Sequence, residues 1–148
     1  MTRNWQIREA VAEDATALAA CMKSAYTPYR DRLGSAQLPP MEVDYLAEIE
    51  HYPVWVAESD GNILGGLVMT YNNDRASIAN IAVNPLYQGQ GIGGALMRFA
   101  ESDARQRGFS ELGLATHVLL EENLSLYRHL GWQETGRDAT RVHMKKSL

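Results

Sequence analysis

The chain lacks the features that mark several protein classes. A single cysteine, Cys21, stands among 148 residues, so no internal disulfide can form. The apolar helical stretch around it reads as the setting of a buried thiol in a reducing cytoplasm. No stretch of about 18 apolar residues runs uninterrupted, and no long apolar core follows the charge at Arg3, so neither a membrane span nor a secretory leader is expected. Net charge is also scarce. Fourteen basic against 18 acidic side chains give −4, too little to draw nucleic acid or an anionic membrane, and basic polymers are the less excluded partners. There is no internal repeat and no low-complexity segment. With 45% hydrophobic residues the chain has material for one sizeable core, and a single domain spanning 1–148 is expected.

What is present alternates in period. Residues 5–8 read as a short half-buried strand, and Asp14 as the N-cap of a helix through Leu18, Cys21, Met22 and Tyr26. Pro28, Gly34, Pro39 and Pro40 break the next stretch, after which Met41, Tyr45, Leu46 and Ile49 recur at helical spacing. Val54–Glu58 and Ile63–Tyr71 read as strands joined at Asp60-Gly61-Asn62, and Ala76–Val83 adds a third strand to an antiparallel meander. Then Ile92, Ala95, Leu96, Phe99 and Asp103 fall on one helical stripe that ends at a charge, with Gly108 as the stop. Leu112–Thr116 reads as a central strand. Its connection to Ala76–Val83 through a helix implies a parallel neighbour. A helix over 122–130 ending at Gly131, then strands at Trp132–Glu134 and Arg141–Met144, complete the order.

Between the meander and the long helix lies Gln88-Gly89-Gln90-Gly91-Ile92-Gly93-Gly94, with four glycines in six residues. Such a turn lets backbone approach a ligand closely, and the unpaired N–H groups of the helix's first turn favour an anion there, so phosphate binding is the physical expectation. Gly89, Gly91 and Gly94 nominally satisfy the dinucleotide fingerprint G-x-G-x-x-G. That motif closes its strand on the first glycine and belongs to serial parallel units. Here Asn84–Gln88 separate Val83 from Gly89, and an antiparallel meander comes first, which argues against a dinucleotide.

Ile81-Ala82-Val83 followed by Gln88-Gly89-Gln90-Gly91-Ile92-Gly93 resembles the acetyl-CoA signature Q/R-x-x-G-x-G/A of the GNAT-type N-acetyltransferase superfamily. Asn123 and Leu126-Tyr127-Arg128-His129-Leu130-Gly131-Trp132 resemble its later N…LYxxxGF segment, and the order of elements is similar over nearly the whole chain. The resemblance implies an α/β fold. Its mixed, mostly antiparallel sheet would splay in a V between two parallel central strands and be flanked by about four helices. It further implies transfer of an acetyl or short acyl group from acetyl-CoA to a primary amine of a small molecule or peptide, with no metal. Homodimers occur within such resemblance, and neither a nucleic-acid nor a membrane partner is implied. Protein N-terminal or lysine acetylation, and a non-catalytic acyl-CoA-binding or sensory module, are the alternatives.

By the same resemblance, the main chain of Ile81 and Val83, with Ala82 between them, would pair with the acetyl carbonyl and the pantetheine arm, helped by a bulge in that strand. The amides of Gly89, Gln90, Gly91, Ile92, Gly93 and Gly94, with the Gln88 side chain, would hold the pyrophosphate. Gln90 stands where the family often has a basic residue. Tyr127 matches the general acid that protonates the leaving thiolate, one helical turn beyond Asn123. Tyr127 also reads as an ordinary core aromatic, and Asn123 as a helix-start residue. Ser77 occupies the nearest position to the glutamate that some members carry. His117 or a water chain is then the candidate base, and Glu121 and Glu122 read as helix-start charges. The acceptor is expected between Tyr26–Arg30 and Leu38–Tyr45, where Tyr26, Tyr29, Tyr45, Arg30, Arg32 and Asp44 form either an amine pocket or a plain surface helix-loop-helix.

Overall fold

A computed structural model describes residues 4–29 and 43–148. Its elements are β1 (Gln6–Glu9), α1 (Ala15–Tyr26), α2 (Tyr45–His51), β2 (Val54–Ser59), β3 (Asn62–Tyr71), β4 (Ala76–Val83), α3 (Ile92–Gln106), β5 (Glu111–His117), α4 (Glu121–His129), β6 (Gln133–Arg137) and β7 (Arg141–Ser147). The seven strands form one sheet in the order β1-β2-β3-β4-β5-β7-β6. Every neighbouring pair is antiparallel except β4 and β5, which run parallel. The mixed sheet with one parallel central pair, and four helices among the described residues, matches the expected fold class.

Strand alternation sends side chains to two cores, one on each face of the sheet. On one face, Leu18, Cys21 and Met22 of α1 and Tyr45 of α2 pack on Val54, Val56, Ile63 and Val68. Gly66 lets α1 sit this low, since a Cβ there would stand 2.5 Å from Leu18 Cδ1. On the other face, Ile92, Leu96, Met97, Ala100 and Ala104 of α3 join Leu124 and Tyr127 of α4 over Leu67, Met69, Leu112, Leu114, Val142 and Met144. The expected α3 stripe is thus shifted: Met97, Ala100 and Ala104 are buried, while Phe99 is half-buried against Trp55. Asp103 at its end accepts from the Tyr71 hydroxyl at 2.5 Å and pairs with Arg107 at 2.9 Å, tying α3 to β3.

The β2–β3 turn has positive φ at both Asp60 and Gly61, the geometry that closes a two-residue hairpin. Trp132, expected in the next strand, instead precedes β6 and is buried in the core. The strands β1 and β7 begin and end within three residues of their expected limits.

Asp14 stands before α1 as expected, but its carboxylate does not cap that helix. The residue is itself helical, and its side chain accepts instead from both Arg8 guanidinium nitrogens, at 2.8 and 2.9 Å, and from the Val11 amide at 2.8 Å. Asp14 is buried, and this bidentate pair ties β1 to the start of α1. The Arg8 hydrogen bonds hold the Asp14 carboxyl below its ordinary value. A depressed folded-state pKa contributes stability that is present above the unfolded carboxyl's value and disappears as pH falls through the folded one. Asp14→Asn is therefore expected to lower unfolding stability by about 1–3 kcal/mol at pH 7. In denaturant titrations the gap from the parent chain should narrow below about pH 4, where the parent loses the same charge.

Candidate functional site

The site begins where β4 leaves its neighbours. Val68 pairs with Asn80 and Met69 with Ile78, so Ala79 is a bulge, as the resemblance implied for this strand. Parallel pairing with β5 is confined to Ser77 opposite Gly113, and beyond it the two strands part. The Asn84 amide donates to Leu64 O at 2.8 Å on the β3 side. By strand alternation the main-chain groups of Ile81 and Val83 then point to the opposite edge, into the gap. Ile81 O also accepts a long bond, 3.4 Å, from the Tyr26 hydroxyl.

Past β4, the Asn84 side chain accepts from Leu86 N, and Pro85 opens one 3-10 turn through Tyr87. Gly89 and Gly91 then take φ of 83° and 81°, which side-chain-bearing residues rarely adopt, and Gly91 leads directly into α3. Open space lies where a Cβ would project from either glycine, with no heavy atom within 4 Å. The first bond closing on this end of α3 runs from Ala95 N to Gly91 O, so the amides of Ile92, Gly93 and Gly94 lack intrahelical acceptors and face outward with the helix's positive end.

A cavity of about 400 Å³ lies between these walls. Ile81, Ala82 and Val83 line one side. Gln88, Gly89, Gly91, Ile92, Gly93 and Gly94 line the mouth, and Asn123, Leu126, Tyr127 and Leu130 of α4 the far side. Asn123 and Tyr127 are one turn apart on the wall facing β4, and Tyr127 is 9% exposed, with its ring 6.2 Å from that of Trp132. Of the residues that the resemblance places on the cofactor or as the general acid, all but Gln90 line this cavity; Gln90 is exposed beside it. Sequence reasoning missed Ala25, Tyr87 and Met97, which also line it. Tyr87 had a readable signal, an aromatic directly before the glycine turn.

The remaining candidates fall elsewhere. His117 closes β5, and its Nδ1 accepts from Leu119 N at 3.1 Å, so the imidazole is engaged in a turn and lines no described cavity. Glu121 and Glu122 are exposed at the start of α4. Ser77 lies outside the cavity. Asn80, which sequence reasoning passed over, bridges the tyrosines above it: Tyr26 donates to its Oδ1 at 3.2 Å, and its Nδ2 donates to the Tyr45 hydroxyl at 2.7 Å. Burial pushes the Tyr45 hydroxyl's pKa upward. Asp44 caps α2 by accepting from Ala47 N at 3.2 Å rather than facing a pocket. Residues 30–42, and with them Arg30, Arg32 and Leu38–Met41, lie outside the described residues, as does the Tyr29 side chain. Among the described residues no group of three or more His, Cys, Asp or Glu side chains is placed to hold a metal, and no helix is long and apolar enough to cross a membrane.

The site is a parallel strand pair that opens beside a glycine-led helix N-terminus, and comparison with known proteins identifies the family. Residues 18–132 match the acetyltransferase (GNAT) family model, and the chain belongs to that family. It is 30% identical over 121 residues to human N-acetyltransferase 8B, covering 78% of this chain and 53% of that protein. It is 33% identical over 93 residues to mouse probable N-acetyltransferase family 8 member 5, covering 59% and 41%. The chain therefore spans about half the length of the curated relatives it matches. Among solved structures, the PaiA N-acetyltransferase of Thermoplasma acidophilum in complex with coenzyme A superposes with a TM-score of 0.86 at 20% identity, over 99% of this chain and 100% of that one.

Gly91→Glu tests the cradle. The left-handed φ should cost about 1–2 kcal/mol of stability, and the new carboxylate would occupy the anion position. The expected outcome is a folded protein by circular dichroism with no acetyl-CoA binding in calorimetry.

Proposed function

We propose that the chain is an acetyl-CoA-dependent N-acetyltransferase that moves an acetyl or short acyl group to a primary amine of a small molecule or peptide. The observation that carries this reading is the cavity itself: a free strand edge at Ile81–Val83, an anion cradle at Gly89–Gly94 and a buried tyrosine on the opposite wall. A bound acetyl-CoA would supply a thioester activated toward amines. Helix amides and the two positive-φ glycines fit a pyrophosphate, and the apolar run of Ile92, Met97, Leu126 and Leu130 fits the pantetheine arm.

In this reading the chain's own groups divide the work. The Ile81 and Val83 main chain orients the thioester carbonyl by adding it to the sheet edge. The amine's lone pair forms the new C–N bond as the C–S bond breaks, and the Tyr127 hydroxyl gives its proton to the departing sulfur. Asn123, one turn away, holds the arm beside it. The described residues lining the cavity include no carboxylate and no histidine, which supports deprotonation of the amine through water rather than by a side-chain base. That same feature is what favours the second reading, an acyl-CoA-binding module without turnover.

Thiol release separates the two. Tyr127→Phe is expected to reduce kcat by about 10²–10⁴, the range for one lost acid, with acetyl-CoA affinity within a few-fold of the parent. Unchanged kcat would remove Tyr127 from the mechanism, and a parent chain that binds acetyl-CoA but turns over no amine would favour the binding module. The assay is undisturbed by Cys21, whose thiol is buried and pushed up to about 11.

A further inference from the structure

A second cavity, of about 630 Å³, lies on the sheet face that α1 and α2 leave uncovered. On β5 and β7 the residues Leu112, Leu114, Val142 and Met144 go to the core, so alternation sends Gly113, Ala115, Arg141, His143 and Lys145 to this other face. Ser77 and Ala79 of β4 continue its floor. Small residues along the middle make it a trough, and its lining carries Arg75, Arg141, Lys145 and His143 against Asp74 and Glu111.

The register gives the trough a direction. Ser77 is level with Gly113, and beyond that pair the strands part toward Ile81 and toward His117, whose antiparallel partner is Arg141. Arg141 thus lines the end of the trough toward which β4 and β5 part. His143 is level with Ala115, one step further along. From Arg141 to the far end at Glu111 and Arg75 is six residues of strand, about 20 Å at the usual rise, the length of about six extended residues. Charges partition along it. Lys145 is neutralised by Glu111 at 3.1 Å, and Arg75 stands beside Asp74. Asp138, behind His143, is taken by the Thr140 and Arg141 amides, both at 2.8 Å. Among the described residues neither the Arg75 nor the Arg141 guanidinium makes an ion pair.

Resting on the acetyltransferase reading, we propose that the acceptor is an acidic peptide lying extended in this trough, its amine at the opening of the strands and its carboxylates on Arg141, His143 and Arg75. A guanidinium without a protein carboxylate offers paired donors to a ligand carboxylate. A cationic polymer would meet like charge along the same rim.

The test compares Ala-Glu-Glu-Glu-Leu, Ala-Lys-Lys-Lys-Leu and free glutamate as acceptors with acetyl-CoA. Dye-labelled forms of both peptides are also titrated by fluorescence polarisation against the CoA-loaded chain. The acidic peptide is expected to bind at least about tenfold more tightly than the basic one, and to exceed it and glutamate in kcat/KM by a similar factor, the worth of one charge-assisted contact. Arg141→Glu should raise its KM tenfold or more while kcat changes little, and Arg75→Glu should do so more weakly. Equal binding of the two peptides, preference for the basic one, glutamate serving as well as the peptide, or an unmoved KM in Arg141→Glu would each overturn the proposal. Polarisation reads the trough even without turnover. Failure of acetyl-CoA to bind in calorimetry would instead strike the acetyltransferase reading.

Discussion

The structure depends on one constraint: β4 is held by β3 along its whole length but by β5 only at Ser77. A parallel pair buried in a sheet ordinarily satisfies its edge groups along the full ladder. Here the Ala79 bulge turns β4 away, and apart from the long Tyr26 bond to Ile81 O the edge groups of Ile81 and Val83 are left for a ligand or water. The helices are placed around that gap. α3 enters from the strand that diverges, so its N-terminus necessarily opens at the mouth, and α4 follows the strand it diverges from, so Tyr127 necessarily stands across it.

Keeping the gap open requires firm anchoring elsewhere. Tyr71, Asp103 and Arg107 fasten the far end of α3, with the Arg107 guanidinium 4.3 Å from the Tyr71 ring centroid. Burial, and the bond to Asp103 behind it, push the Tyr71 hydroxyl's pKa upward, as befits a donor to a carboxylate. On the opposite face Asn80 carries α1 and α2 through Tyr26 and Tyr45. Asn80 lies between the bulge and the free edge, so these helices brace the segment of β4 that β5 does not pair. Gly65 shows how little room remains, for a Cβ there would come within 2.9 Å of Ala82 O.

Most of the order of elements was legible because it rests on local periodicity: the meander, the α3 stripe and the crossover to β5 each follow from spacing and turn residues. The glycine turn was legible for the same reason, since positive φ at Gly89 and Gly91 is a backbone demand that sequence displays. What was hidden depended on partners distant in sequence. Asp14 read as a helix cap until Arg8 claimed its carboxylate, and Asp44, which read as either a pocket residue or part of a plain surface helix-loop-helix, proved to be a cap. His117 looked available because no sequence pattern shows the Leu119 amide donating to it. Asn80 read as one more position in an apolar strand, because only the docking of two helices gives its amide a purpose. The bare face of β5 and β7 was equally invisible, since alternation shows which residues point away from one core but not whether a second layer covers them.

The central claim is that the free β4 edge and the α3 amides receive one ligand together. Hydrogen exchange of backbone amides with and without acetyl-CoA reads both at once. The account predicts slowed exchange at Ile81, Val83, Gly91, Ile92, Gly93 and Gly94, with β1 and β6 unchanged. Protection confined to the glycine turn while Ile81 and Val83 exchange as before would contradict it.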